Sequence, residues 1–525
     1  MRVLLVYPPI TKPIGDVSTP IKCVFVGLAY LAAMLIKHKY EVSVLDCMGN
    51  LKNTGISDKW VRYGLTDIEI KEKIEKFKPD VVGITCMYTS YYRDALNIAR
   101  IVKEYDNKIL TILGGAHVST FPDLIMKDTN VDCAVIGEGE YTLIDIVERF
   151  EKKQPFEGVK GILHRKNGIV IRENNREFIK DLDNLPFPAW HLLEYEAHRM
   201  VNKNNTFLMR KPVGNILTSR GCPRNCSFCS VNLSWGTAWR ARSAENVVDE
   251  IECMVKTMGF REIHFVDDNM STSKERLKEI SQEIINRKID IKWTNPTGIG
   301  YWALSPDILD LMKKSGCYRL TFGIESGSEN TLKVIGRGKQ HNWDKLQTTV
   351  DYANKIGLWT AATFIIGFPD ETEEDFLKTL NKAKTLNLDF AVFYLLVPQP
   401  GTKIYSVYKA KKLLDFDPYI DPTYSGTDFS RLAIVYSNGF PTERFKLSEL
   451  QDWLAKIYKS YFTYKVTSPK TYLNLVRKCR SMEDGRYIYG LAKVGIRMAS
   501  NAIFSKFSNQ KIIDSKIDLH NDDYS

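Results

Sequence analysis

Short apolar runs alternate with amphipathic stretches through the first 150 residues. The apolar runs are rich in Val, Ile and Leu and end at turn-forming residues, as buried strands do, and the stretches between them show helical spacing. Strand and helix in regular alternation predict an α/β fold with a doubly wound parallel sheet. The predicted strands are 2–7, 40–45, 80–85, 109–113 and 131–136, and the predicted helices are 27–37, 70–77 and 92–105.

Ligands of such sheets bind at the carboxyl ends of the strands. Two consecutive glycines follow the fourth strand and a Gly-Glu-Gly-Glu motif follows the fifth, so a ligand can lie directly against the backbone there. No GxGxxG motif follows the first strand, and the pattern therefore does not predict a nicotinamide site. The candidate ligand-binding residues at this edge are Pro8, Thr85, Thr89, Gly114, Gly115, Gly137 and Glu138.

A polar stretch separates this region from a second series of alternating strands and helices. It contains a short hairpin pattern and a Pro-rich extended segment, which predicts a strap that packs Phe187 and Trp190 onto the next domain. The predicted division is a ligand-binding domain at 1–150, a linker at 151–212, a second α/β domain at 213–402 and a mainly α-helical region at 403–525. The strands of the second series are predicted at 214–217, 262–266, 289–293, 319–323, 358–366 and 390–396.

Three cysteines, Cys222, Cys226 and Cys229, follow the first strand of the second series at a CxxxCxxC spacing. Three thiolates this close together can hold one face of an iron–sulfur cluster. A four-iron cluster then has one iron without a protein ligand, where a small molecule can bind. A zinc site would require a fourth Cys or His nearby, and no further cysteine follows before Cys253. Three unrelated buried thiols are the remaining alternative.

With Phe228 between the last two cysteines, the triplet resembles the signature of the radical S-adenosylmethionine superfamily. The resemblance implies a [4Fe–4S] cluster whose fourth iron is chelated by S-adenosylmethionine, which one electron cleaves to a 5′-deoxyadenosyl radical. It also implies a partial (βα)6 barrel with Phe228 near the adenine, and an external electron donor such as flavodoxin or ferredoxin.

The same resemblance assigns S-adenosylmethionine contacts to the ends of the later barrel strands. Asp267 and Asp268 would accept hydrogen bonds from its amino group, although a helix N-cap cluster explains them as well. Glu325 and Ser326 would lie near the ribose or the carboxylate, and Gly367 would let the adenine approach the backbone.

Four other side chains are candidates of a weaker kind. Arg240, Arg242 and Arg337 have the geometry to bind a carboxylate through two hydrogen bonds, but solvated surface arginines are the commoner case. His117 follows the paired glycines, and we interpret it as a hydrogen-bonded structural residue in preference to a metal ligand.

The N-terminal sheet, fused ahead of the triplet, resembles that of the cobalamin-binding radical enzymes. These include the class B radical methylases and the anaerobic magnesium-protoporphyrin cyclase group. Many of these domains carry a DxHxxG motif whose histidine ligates cobalt, whereas this sequence has no histidine between Pro8 and Gly27. We therefore expect cobalamin without an imidazole ligand from that loop. A domain that no longer holds cobalamin is the alternative.

Composition and charge exclude few classes of protein. A chain of 525 residues with a net charge of +10 suits two or three domains and predicts no nucleic-acid partner. The scattered cysteines, the absence of a signal-like start and the lack of a ~20-residue apolar run predict a cytoplasmic protein. The segment 488–499 alternates cationic and apolar faces, which is typical of a helix on an anionic membrane or of one that caps the barrel.

The expected function is that of a cobalamin-dependent radical methyltransferase, which methylates an unactivated carbon through a 5′-deoxyadenosyl radical and methylcobalamin. A cyclase or oxidative rearrangement enzyme with the same cofactors is one alternative, and a catalytically inactive cobalamin sensor is another. A methylthiotransferase is disfavoured because the sequence has no second cysteine triplet. The sequence identifies no catalytic acid or base, and it indicates the substrate only as a small or lipid-like molecule.

Overall fold

The computed structural model describes residues 1–13, 26–49, 53–55, 60–193, 208–338, 341–414 and 439–493. Their strands form two large sheets and two small ones. The strands are β1 Arg2–Tyr7, β2 Ile10–Pro13, β3 Glu41–Asp46, β4 Asn53–Gly55, β5 Trp60–Tyr63, β6 Val81–Thr85, β7 Leu110–Gly114, β8 Cys133–Val135, β9 Ile162–Lys166, β10 Ile169–Arg172, β11 Val213–Ile216, β12 Ser219–Arg220, β13 Arg240–Ala241, β14 Glu262–Phe265, β15 Lys292–Asn295, β16 Cys317–Glu325, β17 Trp359–Ile366 and β18 Phe390–Leu395.

Helices connect the strands of both large sheets, and further helices form the C-terminal region. Three single 3₁₀ turns lie at Thr89–Tyr91, Trp190–Leu192 and Tyr301–Ala303. The α-helices are α1 Val26–Lys37, α2 Asp67–Phe77, α3 Tyr92–Tyr105, α4 Ala116–Thr120, α5 Pro122–Ile125, α6 Glu140–Glu151, α7 Val231–Trp235, α8 Ala244–Met258, α9 Lys274–Asn286, α10 Pro306–Lys314, α11 Glu329–Val334, α12 Trp343–Lys355, α13 Glu373–Thr385, α14 Lys403–Ala410, α15 Leu447–Thr467, α16 Pro469–Lys478 and α17, which is described over 482–493.

The first large sheet has the strand order β10-β9-β8-β7-β6-β1-β3. Its five strands from β8 to β3 are parallel, which confirms the predicted doubly wound sheet. The predicted hairpin forms from β9 and β10, and β9 pairs antiparallel with β8. The hairpin therefore extends the N-terminal sheet beyond residue 150. It covers the edge that the short strand β8 would otherwise expose.

A small antiparallel sheet of β2, β5 and β4 was not predicted from the sequence. Its strands are short and partly polar, so they show no alternation long enough to indicate a strand. The backbone amide of Thr11 donates to the buried carboxylate of Asp94 at 2.9 Å, which ties this small sheet to α3.

The second large sheet has six parallel strands in the order β11-β14-β15-β16-β17-β18, which is the arrangement of a partial (βα)6 barrel. The prediction of a strand at 289–293 was wrong in position, since β15 begins at Lys292. Lys288 has a left-handed φ of 54° and the Ile289 amide donates to the carbonyl of Ile284. The residues before β15 therefore terminate the preceding helix and do not join the sheet.

The Pro-rich segment packs as a strap between the two domains, as predicted. Trp190 is buried and its indole N–H donates to Glu250 of α8 at 3.2 Å. Phe187 lies against the guanidinium of Arg242, 5.5 Å from its ring centre.

The C-terminal helices close the barrel at the amino ends of its strands. Lys478 of α16 is buried against Trp359, the first residue of β17, and its ammonium contacts Asp389 just before β18. Tyr487 of α17 is also buried, and it accepts a hydrogen bond from Arg319 of β16 at 2.9 Å. One face of this region therefore caps the barrel, while residues 494–499 of the predicted helix lie outside the described residues. Throughout the described chain, no helix is both long and apolar enough to cross a bilayer.

We predict that Lys478→Met lowers the free energy of unfolding by about 3 kcal/mol, because it leaves the carboxylate of Asp389 buried without its cation. Denaturant unfolding monitored by circular dichroism measures the change. Adding Asp389→Asn should recover much of the loss, and Lys470→Met on the exposed face of α16 serves as the control. An unfolding free energy that is equal in wild type and Lys478→Met would contradict the prediction.

Candidate functional site

The three cysteines lie on the loop that follows β12 and leads into α7. Gly221 begins this loop with φ +85°, and a Cβ there would meet the carbonyl oxygen of Ala238 at 2.4 Å. Only glycine fits this position, so the chain is forced to turn sharply just before Cys222. Cys226 is buried, while Cys222 and Cys229 are partly exposed.

The thiols of this loop are close enough to interact electrostatically. Burial raises the pKa of Cys229 to about 12, and Cys226, Asp268 and Cys222 contribute to the increase. Among the described residues, no three His, Cys, Asp or Glu side chains converge on the position of a single metal ion. Three thiols that share one small volume without meeting at one point suit a cluster, in which each sulfur binds a different iron.

The loop after β14 supplies polar groups to this cysteine site. Asn269 donates to the sulfur of Cys222 at 3.7 Å. Asp268 is partly buried, and burial together with the neighbouring Asp267 raises its pKa to about 6. Asp267 is fully buried, and its Oδ1 accepts hydrogen bonds from the Thr218 amide at 3.1 Å and from the Thr218 hydroxyl at 2.8 Å. Its Oδ2 has no hydrogen-bond partner in the structure.

A charged pair lies beside the cysteines. Glu325 ends β16, and Arg337 follows α11. Arg337 donates to the sulfur of Cys226 at 3.2 Å and lies 3.3 Å from the carboxylate of Glu325. Glu325 has a φ of 71°, and a non-glycine residue in this region is typical of functional sites. Ser326, predicted to lie near the ribose or the carboxylate, follows Glu325, and its buried hydroxyl accepts from the Ser328 amide at 3.1 Å and contacts Thr379. These contacts hold the loop.

Gly367 lies on the loop after β17, beside the aromatic residue of the cysteine motif. The ring of Phe228 packs edge to face on Phe368 with centroids 6.0 Å apart. Glu371 holds this loop from inside, since one of its oxygens accepts from the amides of Gly367 at 2.7 Å and Phe368 at 3.0 Å. The other oxygen accepts from Thr331 at 2.9 Å. The residues predicted to surround adenine are therefore close together.

The predicted ligand edge of the first sheet is also assembled. Thr85 and Gly114 are paired at the carboxyl ends of β6 and β7. Gly115 has φ +115°, and a Cβ would lie 2.6 Å from the carbonyl oxygen of Cys86, so the backbone passes too closely for a side chain. Pro8 is buried at the end of β1, and the Gly137 amide donates to Ser119 at 2.9 Å.

His117 lies beneath this edge and is only 1% exposed. Its Nδ1 is 3.0 Å from the hydroxyl of Thr89, and its ring stacks on Tyr92. Burial lowers the pKa of His117 to about 4, so the imidazole is neutral. Its Nε2 is buried and has no hydrogen-bond partner in the structure.

The two carboxyl edges face each other. Thr120 of α4 and Leu233 of α7 both lie against Gly401, and α4 packs on α7. Arg220, at the end of β12, donates to Glu138 at 2.7 Å and to Glu140 at 2.5 Å. The ligand edge of the first sheet is thus placed beside the cysteine loop of the barrel.

Three predicted side chains belong to this junction and not to an open ligand surface. The carboxylate of Glu138 accepts from Arg220, Arg240 and the Ile179 amide, which uses both oxygens. Arg240 is occupied by Glu138, and Arg242 is occupied by Glu250. Of the three arginines proposed for a carboxylate ligand, the structure brings only Arg337 to the cysteines.

Two family models match the chain: a B12 binding domain over residues 20–147 and the radical SAM superfamily over residues 216–383. An uncharacterized methyltransferase of Pyrococcus horikoshii is 35% identical over 79% of this chain and 84% of its own length. The chain belongs to the cobalamin-binding radical S-adenosylmethionine enzymes. This enzyme family uses a [4Fe–4S] cluster, S-adenosylmethionine and cobalamin.

Other relatives fall into two functional groups. A cytidylyl-2-hydroxyethylphosphonate methyltransferase of Streptomyces wedmorensis is 30% identical over 77% of this chain and 80% of its own length. An anaerobic magnesium-protoporphyrin IX monomethyl ester cyclase of Rubrivivax gelatinosus is 28% identical over 80% of this chain and 72% of its own. The radical methyltransferase TsrM of Kitasatospora setae, solved with cobalamin and a [4Fe–4S] cluster, has the same fold, with a TM-score of 0.62, 18% identity and coverage of 85% and 82%.

The side chains present fit these cofactors. Three mutually close thiols suit a cluster with one open iron, and the described part of the chain brings no metal-binding group of three or more His, Cys, Asp and Glu side chains together. The unpartnered Oδ2 of Asp267 and the partly buried carboxylate of Asp268 suit a cationic group beside it. At the other edge, the buried, unpartnered Nε2 of His117 suits a ligand that supplies its hydrogen bond.

Sequence reasoning missed Glu371, Glu140 and Arg220. Glu371 lies four residues after Gly367, and an acidic residue so close to a glycine turn was the available signal. Glu140 was part of the recognised motif, but its partner lies far along the chain. Arg220 sits between an apolar strand and the first cysteine, and its partners Glu138 and Glu140 lie about eighty residues earlier in the chain.

We predict that Glu371→Gln changes how stability depends on pH. Burial raises the pKa of Glu371 from 4.5 to about 8, so the folded state prefers the protonated acid. The stability that this group contributes is complete below pH 4.5 and is lost as pH rises through about 8, by at most about 1.4 kcal/mol per pH unit. The variant, which stays neutral, should lose less stability than wild type over that window. Thermal unfolding at a series of pH values measures the difference.

The control is Glu374→Gln on the exposed surface of α13, which should keep the pH dependence of wild type. Parallel pH profiles for wild type and Glu371→Gln would show that Glu371 is already ionised in the folded protein at neutral pH, against the prediction.

Proposed function

We propose that this enzyme methylates an unactivated carbon of a small or lipid-like molecule. The observation that supports this is the meeting of two edges: the cysteine loop of the barrel lies beside the carboxyl edge of the cobalamin-binding sheet, with Arg220 bonded to Glu138 and Glu140 across the junction. A methyl donor on one edge and a radical generator on the other can act on one substrate only if the two edges share a cavity.

When bound, the cluster supplies the electron that cleaves S-adenosylmethionine to a 5′-deoxyadenosyl radical, and cobalamin supplies the methyl group. In this proposal Cys222, Cys226 and Cys229 hold the cluster. Asp268 accepts hydrogen bonds from the amino group of S-adenosylmethionine, and Arg337, which already contacts Cys226, Gly323 and Glu325, holds the cysteine loop. An external flavodoxin or ferredoxin provides the electron.

Other residues shape the cavity. The Phe228 and Phe368 rings form an apolar wall beside Gly367, which suits the face of an adenine and excludes water from it. At the opposite edge, the residues proposed to surround the corrin are Pro8, Thr85, Thr89, Gly114, Gly115 and Gly137. The side chain of Glu138, whose oxygens are already bonded, contributes to this edge through the fold of its loop.

The relatives favour methylation over ring closure. Two relatives that are 35% and 30% identical are named methyltransferases, and three cyclases are 28%, 24% and 25% identical. The same cofactor set operates in both groups, so a cyclase or oxidative rearrangement remains the second candidate.

We predict that anaerobically reconstituted enzyme transfers a trideuteromethyl group from deuterated S-adenosylmethionine to a molecule in a metabolite extract of the source cells. Methyl transfer should be accompanied by 5′-deoxyadenosine, because the radical removes the hydrogen that the methyl group replaces. Mass spectrometry measures both products. A new product that has lost hydrogens without gaining a methyl group would identify the cyclase alternative.

Two variants control this experiment. Cys226→Ala removes a cluster thiol and should lower the iron content and abolish 5′-deoxyadenosine, whereas Cys253→Ala on α8 should change neither. A wild-type protein that binds cobalamin but no iron would support the sensor alternative, and a methylated product without 5′-deoxyadenosine would exclude the radical route.

We also propose that the C-terminal helices contact anionic membranes from one side. Val476, Met482 and Tyr489 are 76%, 83% and 63% exposed, although all three are apolar or aromatic. Exposed cations, including Arg477 and Arg486, flank them on α16 and α17. Apolar side chains rimmed by cations suit a surface of acidic lipid headgroups, and a lipid-like substrate would be available there.

We predict that wild-type protein floats with phosphatidylglycerol vesicles in a density gradient and that Val476→Ser combined with Met482→Ser reduces the floating fraction severalfold. Added salt should also reduce it, because the cations contribute by electrostatic attraction. The control is Ile169→Ser, an exposed apolar residue on the distant hairpin, which should float like wild type. Equal flotation of wild type and the double variant would remove the argument for membrane contact.

A further inference from the structure

The junction between the two domains contains a cationic side chain that is almost fully buried. Arg220 is 3% exposed, and its guanidinium donates from Nη1 to Glu138 at 2.7 Å and from Nη2 to Glu140 at 2.5 Å. Both glutamates come from the loop that follows β8 of the first sheet, whereas Arg220 lies two residues before Cys222. We call these three side chains the charge clamp.

Aromatic rings close the clamp from both domains. The guanidinium of Arg220 lies over Tyr30 of α1 with 5.4 Å to the ring centre, and over Trp235 of α7 with 5.0 Å. Planar guanidinium groups stack well on such rings while they donate hydrogen bonds in their own plane. The rings therefore exclude water and leave the two carboxylates as the partners that neutralise the charge.

Ile179, just before the interdomain strap, joins the same network. The Ile179 amide donates to Glu138 at 2.6 Å, and the Ile179 carbonyl accepts from Arg240 at 2.7 Å. Arg240 also donates to Glu138 at 2.9 Å. The clamp thus connects the ligand loop of the first sheet, the strap and the strand pair that carries the cysteine loop.

Because Arg220 is buried, its hydrogen bonds to Glu138 and Glu140 tolerate little displacement. Burial alone lowers the pKa of Arg220, and the charges of Glu140 and Glu138 outweigh that effect and raise it. An arginine out of water is stable only while its hydrogen-bond partners stay in place, so a shift of either loop leaves buried charges unpaired. Gly221 links Arg220 to Cys222, and a Cβ there would meet the carbonyl oxygen of Ala238 at 2.4 Å, so the backbone between the clamp and the first cysteine is closely packed.

We propose that the charge clamp positions the cysteine loop relative to the cobalamin-binding sheet, and that it couples cobalamin binding to the geometry of the cluster. Arg220, Glu138 and Glu140 are then positioning residues that touch no reacting atom. Coupling between two sites is reciprocal, so cobalamin should order the cysteine loop and an intact clamp should tighten cobalamin binding. The proposal depends on the two cofactors, and it holds whether methyl transfer or ring closure follows.

The test compares three reconstituted proteins with wild type. Glu140→Gln keeps an oxygen toward Arg220 and removes one charge, so it is the mildest change. Arg220→Met with Glu140→Gln removes the guanidinium and one carboxylate and leaves Glu138 paired with Arg240, which avoids unpaired buried charge. Asp389→Asn is the matched control, because Asp389 forms a buried ion pair with Lys478 at the opposite end of the barrel.

Two measurements separate positioning from general stability. The first is the dissociation constant for hydroxocobalamin by ultrafiltration, which we expect to rise about tenfold in both clamp variants. The second is the magnetic interaction between cob(II)alamin and the reduced cluster by electron paramagnetic resonance, which reports their relative position. We expect one defined splitting in wild type and in Asp389→Asn, and a broadened or lost splitting in the clamp variants.

A purely structural clamp would give a different pattern. All three variants would then lower the melting temperature, and the cobalamin affinity and spin coupling of the folded protein would equal those of wild type. That result would overturn the proposal while leaving the proposed methyl transfer untouched, since neither measurement uses the substrate.

Discussion

Arg220 carries a charge that is nearly excluded from solvent, and the placement of the cofactor site depends on how that charge is neutralised. A carboxylate on the barrel itself would have satisfied the guanidinium without involving the first domain. Glu138 and Glu140 come instead from the cobalamin-binding sheet, so the electrostatic requirement of one residue fixes two domains. Glu138 follows the parallel strand β8 and Arg220 follows the parallel strand β11, so neutralising Arg220 also brings together the two edges at which such sheets bind ligands.

Most of the fold could be predicted because its strands are buried on both faces and read as continuous apolar runs. β1, β6, β16 and β17 are of this kind, and their predicted positions were confirmed. The predicted position of β15 was too early because the apolar residues before β15 belong to the C-terminus of the preceding helix. The end of a helix and the start of a strand can both be apolar. The small sheet of β2, β5 and β4 was missed since its pairing depends on tertiary contacts such as that of Thr11 with Asp94.

The site could be predicted only where local spacing determines the chemistry. Cys222, Cys226 and Cys229 are close in sequence, so their convergence needed no knowledge of distant residues. Glu138 was predicted at the ligand edge, and it does lie on that loop, but the direction of its side chain depends on Arg220, more than eighty residues away. A single sequence contains no sign of such a pairing. The positions of the candidate S-adenosylmethionine contacts likewise became clear only when β14, β16 and β17 were placed side by side.

The C-terminal helices pack at the amino end of the barrel, and the candidate functional site lies at its carboxyl end. At the amino ends of the strands, buried charges such as Lys478 and Arg319 are matched within the chain by C-terminal helices. At the carboxyl ends, the Oδ2 of Asp267 has no hydrogen-bond partner, and burial raises the pKa of Asp268. Unsatisfied polar groups cost stability, and a fold keeps them where a ligand will satisfy them. The C-terminal helices therefore contribute to catalysis indirectly, because the stability they add at one end allows an incompletely satisfied site at the other.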